Sequence, residues 1–173
     1  MNAKNILITH LLQHFLKEND METIYYEHNY YTVNVKKTHE DAVIPQYQTE
    51  GASGFDLHSV QEYKIYAGQV LLVDTGIAFE IPKGLELQVR PRSGLSFKTP
   101  LRVANSPGTV DSDFRDSVKV IIENRSDNES YTIKKGERIA QGIICPVYQA
   151  TFQEVTDLND TQRGTNGFGS TGK

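Results

Sequence analysis

The chain has 173 residues, with 18 Lys+Arg against 22 Asp+Glu and a formal net charge of -4; at roughly 150 residues per domain this is one domain, long enough to bury a core. The acidic balance excludes holding duplex nucleic acid by bulk phosphate neutralisation, so no stable nucleic-acid binding is expected and any phosphate contact has to be local. The single cysteine, Cys145, excludes an internal disulfide framework and points to a reducing, cytoplasmic setting.

In chain order, residues 6–16 carry the longest apolar tract, broken by Thr9, His10, Gln13 and His14 and shorter than the roughly 20 residues that span a bilayer. Lys17, Glu18, Asn19 and Asp20 follow where a signal peptide would place small residues. Neither a membrane span nor a signal peptide is expected. Leu7, Ile8, Leu11, Leu12, Phe15 and Leu16 recur at helical spacing and predict an amphipathic helix. That helix packs on the domain, pairs with a protein partner, or forms an extension. Met21 offers a second start.

From residue 31 the helical period gives way to alternation. Residues 32–36, 85–90 and 118–122 read as half-buried strands, and 69–73, 76–81, 130–133, 138–147 and 151–155 add shorter apolar or β-branched runs. Turn signals separate them at Ala67-Gly68, Pro82-Lys83-Gly84, Ser106-Pro107-Gly108, Ser126-Asp127-Asn128 and Lys135-Gly136. Many short strands so punctuated predict an all-β sandwich or jelly roll, without βαβ rhythm or internal repeat. After Asp157 the chain turns polar, with four glycines between Gly164 and Gly172, and predicts a flexible C-terminal arm. The expected organisation is a helical extension over residues 1–30, a β domain over 31–157 and the arm over 158–173.

Five segments carry chemistry. In residues 51–57, Gly51-Ala-Ser-Gly-Phe-Asp56-Leu, the bland reading is a turn with an aspartate. At Arg92-Ser93-Gly94 a strand and a proline precede a glycine that lets backbone N–H groups approach a ligand; a helical turn starting there would let those groups, the Ser93 hydroxyl and the Arg92 fork cradle phosphate. The alternative is a Ser N-cap beside a surface arginine. Residues 105–115 hold Asn105, Gly108, Thr109, Val110, Asp111, Asp113 and Phe114. In a strand, Asp111 and Asp113 would share one face and Ser112 and Phe114 the other, so that a carboxylate meets a water or sugar hydroxyl; otherwise Phe114 faces the core. The fourth segment runs from Gly136 through Arg138 to Gln141. In the fifth, residues 163–172, glycines can wrap a phosphate, Arg163 can neutralise it and Phe168 can stack on a base, but the spacing is not that of a Walker A loop. The five histidines, His10, His14, His28, His39 and His58, show no supported zinc spacing and read as surface residues; no serine or thiol triad is visible.

In this order the five segments resemble the motifs of the homotrimeric dUTPase family, which hydrolyses dUTP to dUMP and pyrophosphate; the resemblance covers residues 33–172. It implies a jelly-roll (β-clip) subunit and a homotrimer whose active sites are shared, each closed by the arm of a neighbouring chain. Asp111 then matches the aspartate that orients the attacking water and the sugar 3′-hydroxyl and acts as general base. Asn105 and the backbone of Gly108, Thr109 and Val110 match the hairpin that reads uracil. Phe114 stands where the family usually has tyrosine, whose ring packs on deoxyribose. Arg92, Ser93, Gly94 and Gln141 match phosphate-binding positions, and Asp56 a supporting aspartate that organises the phosphate and metal region. Arg163, Phe168, Gly169, Ser170 and Thr171 match the closing arm. The resemblance also implies Mg²⁺ carried on the triphosphate with no direct protein ligand. Asp116 departs from the glycine common at its position. Two rivals share the fold: a dCTP deaminase, which needs an acid near the pyrimidine C4 and a different second motif, and a regulatory protein that holds a partner.

Overall fold

The computed structural model describes residues 31–167, so the expected N-terminal helix and the arm residues Phe168, Gly169, Ser170 and Thr171 lie outside the described residues. Eleven strands and one short helix follow in order: β1 (Asn34–Lys37), β2 (Phe55–His58), β3 (Tyr63–Ile65), β4 (Val70–Asp74), β5 (Ile77–Glu80), β6 (Leu85–Arg90), α1 (Ser93–Lys98), β7 (Leu101–Val103), β8 (Gly108–Val110), β9 (Lys119–Asn124), β10 (Tyr131–Ile133) and β11 (Arg138–Pro146). All pairings are antiparallel. A four-stranded sheet runs β2-β11-β6-β8, a three-stranded sheet β4-β9-β7, and the pairs β1-β5 and β10-β3 complete a jelly roll. No described helix is long and apolar enough to cross a membrane.

Alternation explains the two longest inner faces. Leu85, Leu87 and Val89 of β6 are buried between half-buried Glu86 and Gln88, and Val120 and Ile122 of β9 are buried in the same way. They join Leu57, Ile65, Val73, Ile77, Leu101, Val118, Ile133 and Ile139 in one core. Asn124 also lies inside, wholly buried, and its amide is satisfied by donation to the carbonyls of Ile65 and Glu129 and acceptance from the Ser126 N–H. The expected turns at Pro82-Lys83-Gly84 and Lys135-Gly136 form with Gly84 and Gly136 at positive φ, the conformation that glycine adopts without strain.

β11 is the hub of the large sheet, because it pairs with β2 on one side and β6 on the other. Gly142 sits opposite both Phe55 and Val89. A Cβ there would stand 2.3 Å from Phe55 Cε2 and 2.9 Å from Leu87 Cδ1, so the Phe55 ring occupies the space a side chain would need.

Three expectations change. The run 151–155 forms no strand: residues 147–167 hold no regular element and are exposed throughout, Tyr148 and Phe152 at 93%. That apolar, β-branched segment pairs with no strand among the described residues. Asp111 and Asp113 do not share a strand face either, since β8 ends at Val110 and the Phe114 N–H donates to the Asp111 carbonyl in a turn. Phe114 is exposed, not facing the core. The strands β2, β3, β7 and β8, each three or four residues long, fall in segments that showed no alternation.

Gly142→Ala is expected to destabilise by about 1–3 kcal/mol through overpacking, a fall in Tm of roughly 3–10 °C at this chain length. Calorimetry checks it; an unchanged Tm would mean that the Phe55 ring moves aside freely.

Candidate functional site

The first half of the site grows from β8 and the segment that leads into it from β7, which pair in different sheets. Gly108 pairs with Val89, and a Cβ on it would stand 3.0 Å from Asn105 Nδ2. The missing side chain therefore lets the Asn105 amide lie against the strand. Beyond Val110 the chain turns at Asp111, and Arg115 fastens that turn by donating through Nη1 to the carbonyls of Ser112 (2.6 Å) and Phe114 (3.0 Å). Asn105, Gly108, Thr109, Val110, Asp111 and Phe114 line one cavity of about 280 Å³ together with Lys119 and Ser117. Backbone groups, an amide, a carboxylate and a ring thus meet where a base and a sugar can enter. Asp116, the departure from the family pattern, spends its carboxylate locally: Oδ1 accepts from the Ser117 N–H at 2.7 Å and Oδ2 lies 3.8 Å from Lys119 Nζ.

The second half sits where β6 ends. Arg92 is the N-cap of α1 and has no side-chain cap bond, which replaces the Ser93 N-cap alternative; Ser93 is the first helical residue and is exposed beside Gly94. The Arg92 side chain is instead claimed by Asp56. That carboxylate is only 5% exposed, and it accepts from Arg92 Nε at 2.8 Å and from Arg138 Nη1 at 3.3 Å. An enclosed carboxylate needs such partners, and they in turn fix the two guanidinium groups. Arg92, Gly94, Leu95, Thr99, Arg138, Glu137 and His58 line a cavity of about 390 Å³. Gln141 lies opposite Asp56 on one side and Arg90 on the other.

The two halves do not meet in one chain. Val110 pairs with Leu87, and from there β6 runs on to Arg90 with Arg92 just beyond it. At about 3.3 Å per residue the separation of Val110 from Arg92 is on the order of 15 Å. Arg163 joins neither half; its Nε donates to the Asn166 carbonyl at 3.2 Å. Among the described residues no three His, Cys, Asp or Glu side chains converge as a metal cage.

Two participants of the second cavity were not singled out from the sequence. Arg138 was overlooked in favour of Gln141 in the same segment, and His58 was read as a surface histidine. The signal available for His58 was its position two residues from Asp56, which puts both on one strand face.

An all-β sandwich with an amide-and-ring cavity and a separate arginine-lined cavity defines a jelly-roll protein equipped for a small, polyanionic ligand. The sequence matches the dUTPase family over residues 40–172. It is 55% identical over 141 residues to the deoxyuridine 5′-triphosphate nucleotidohydrolase of Nautilia profundicola, covering 82% of this chain and 99% of that protein. The enzyme of the same name from Helicobacter hepaticus is 52% identical over 140 residues, covering 81% and 88%. Among solved structures, the Staphylococcus bacteriophage 80alpha dUTPase with dUpNHpp superposes with a TM-score of 0.77 at 27% identity, covering 83% of this chain and all of that one. The chain belongs to the dUTPase family.

Asp56→Asn keeps the shape of the anchor and removes its charge. We expect Arg92 and Arg138 to lose their fixed positions, stability to fall by about 1–3 kcal/mol, and inorganic pyrophosphate to bind more weakly. Calorimetric Tm and pyrophosphate titration check both; unchanged affinity would show that the arginines hold their places unaided.

Proposed function

We propose that this protein hydrolyses dUTP to dUMP and pyrophosphate by attack of water on the α-phosphorus, limiting uracil in DNA and supplying dUMP for thymidylate synthesis. The observation that carries the reading is the cavity in which Asn105, the backbone of Gly108 to Val110, Asp111 and Phe114 converge. Fixed main-chain donors and acceptors select uracil: cytosine would leave them unpaired, and the thymine methyl would collide. The Phe114 ring lies against deoxyribose and leaves no room for a ribose 2′-hydroxyl, without the polar contact that a tyrosine would add.

Asp111 orients the water and the 3′-hydroxyl and accepts the proton as the water oxygen bonds to phosphorus. The bond from the α-phosphorus to the bridging oxygen breaks, and the electron pair leaves with pyrophosphate. Arg92, Ser93, Gly94 and Gln141 hold the phosphates, and the positioned donors stabilise the charge that spreads onto the leaving group. Arg163 supplies a further positive charge and Phe168 a stacking surface, with Gly169, Ser170 and Thr171 around the substrate, and closure of the arm excludes water.

The metal of this reading is Mg²⁺, which neutralises triphosphate charge. The donor set suits an ion carried on phosphate oxygens, because Asp56 beside the phosphate half has both oxygens on arginines, Glu137 in its lining accepts from the Lys134 N–H and the Tyr131 hydroxyl, and Mg²⁺ characteristically binds through substrate phosphates.

In this reading the active sites are shared in a homotrimer, the phosphate half of one chain meeting the Asp111 half of another, and the separation of the two cavities supports it. The exposed Tyr148, Phe152, Val155 and Leu158 supply apolar surface for such an assembly. In the same reading residues 1–30 are an extension that can take a protein partner, 31–157 the β domain and 158–173 the arm. The half-buried free thiol of Cys145 suits the reducing cytoplasm.

Pyrophosphate release should be strong from dUTP and weak from dCTP, dTTP and UTP; comparable turnover of UTP would remove Phe114 as the sugar screen. Asp111→Asn should retain dUpNHpp binding and lose most of kcat, on the order of 10²–10⁴-fold, whereas near-normal turnover would assign the base elsewhere. A chain truncated after Asp160 should fold and be inactive. Refolding it together with Asp111→Asn chains should restore activity, since a mixed trimer can combine an intact Asp111 with an intact arm. No recovery in mixed trimers verified by mass would mean that the arm serves its own chain.

A further inference from the structure

Among the side chains that line the arginine-lined cavity and have no part in the proposed reaction is His58. His58 ends β2 opposite Arg138 and lines the cavity with Arg92, Gly94 and Arg138. Its ring is half-buried, and Nδ1 is enclosed without a hydrogen-bond partner among the described residues. A proton on that nitrogen would be a buried N–H with nothing to receive it, which costs the desolvation of the donor. The neighbouring acids do not provide a partner. Asp56 is committed to Arg92 and Arg138, and the Glu137 carboxylate accepts from the Lys134 N–H and the Tyr131 hydroxyl.

With no acceptor in reach of Nδ1, the favoured tautomer carries its proton on Nε2. We propose that His58 is a phosphate-binding residue of this half-site, donating an uncharged Nε2–H hydrogen bond to the pyrophosphate portion of the substrate beside Arg92. This rests on the dUTP-hydrolysing reading and adds a contact to it.

The electrostatic surroundings agree. Burial lowers the pKa of His58 below the ordinary histidine value, the Arg138 and Arg92 charges push in the same direction, and Asp56 opposes them. The imidazole is therefore neutral at neutral pH, and its contribution should not change as pH rises from about 7 to about 8.5. A neutral donor beside two guanidinium groups adds a hydrogen bond to a polyanion without a third repelling positive charge. It also gives the cavity a preference for ligands that carry the phosphates beyond the α position.

The test compares His58→Phe, which has no donor, with His58→Gln, which has an amide N–H near the same place. Titrations with inorganic pyrophosphate, dUpNHpp and dUMP are run on the full chain, with Tm as the folding control. We expect His58→Phe to weaken pyrophosphate and dUpNHpp by about tenfold or more, to leave dUMP unchanged and to raise KM for dUTP more than it lowers kcat. His58→Gln should recover most of the affinity. Equal losses in both variants, or a loss that includes dUMP, would make His58 a structural residue and overturn the proposal, as would full pyrophosphate affinity in His58→Phe.

Should the variants misfold, ¹⁵N imidazole spectra of the unaltered protein decide: an Nε2–H tautomer whose signal moves on adding pyrophosphate supports the contact, and an unmoved signal removes it. The parent reading is tested separately by pyrophosphate release from dUTP. A protein that binds pyrophosphate through His58 without hydrolysing dUTP would overturn that reading alone.

Discussion

Asp56 is 5% exposed, and a carboxylate so enclosed is tolerated because Arg92 and Arg138 hold both its oxygens. The three residues come from three places in the chain: β2, the junction of β6 with α1, and the start of β11. Their ion pairs therefore tie the end of the large sheet to the short helix. The same bonds decide how much cationic surface remains for a ligand, because a guanidinium has five N–H donors and Asp56 occupies only part of each fork. An anchor that both satisfies itself and orients its partners explains how exposed arginines can be kept ready without a bound anion.

The opposite end of the sheet follows another logic. There the binding groups are mostly main chain, held by β8 against β6 and by the Arg115 staple across the Asp111 turn. Rigid backbone suits discrimination between bases of similar size, while charged side chains suit phosphates, which differ in number more than in shape. The β6 strand reaches from one region to the other, so the fold spaces the two chemistries by strand length. In the proposed reaction, other copies of the chain bring the two chemistries together.

The sequence was most legible where the pattern was long. Leu85 to Arg90 alternates over six residues and forms β6 with the same limits. β2, β3, β7 and β8 are too short to display a period, and the segment that leads into β2 reads as a turn. The run at 151–155 shows the opposite: its β-branched residues favour a strand, but a strand exists only through pairing, and this run pairs with none among the described residues. At the candidate site, the resemblance pointed to Asp111, Arg92 and Gly108, which line the two cavities, whereas the places of Arg138 and His58 depended on the pairing of β11 with β2. Register between strands 80 residues apart leaves no local mark. The turn at Asp111 is different: its bonds, from Arg115 to the Ser112 and Phe114 carbonyls, are local, but they depend on a side-chain conformation that residue type does not fix.

The spacing of the two cavities has a consequence for the cell. On the proposed assembly a newly made chain carries every residue of the site and completes none, so catalysis begins only after subunits have found one another. Activity would then rise more steeply than protein amount at low expression and become proportional to it once assembly saturates. Dilution or slowed synthesis would switch off hydrolysis before it removed the protein, making abundance itself an input to the reaction.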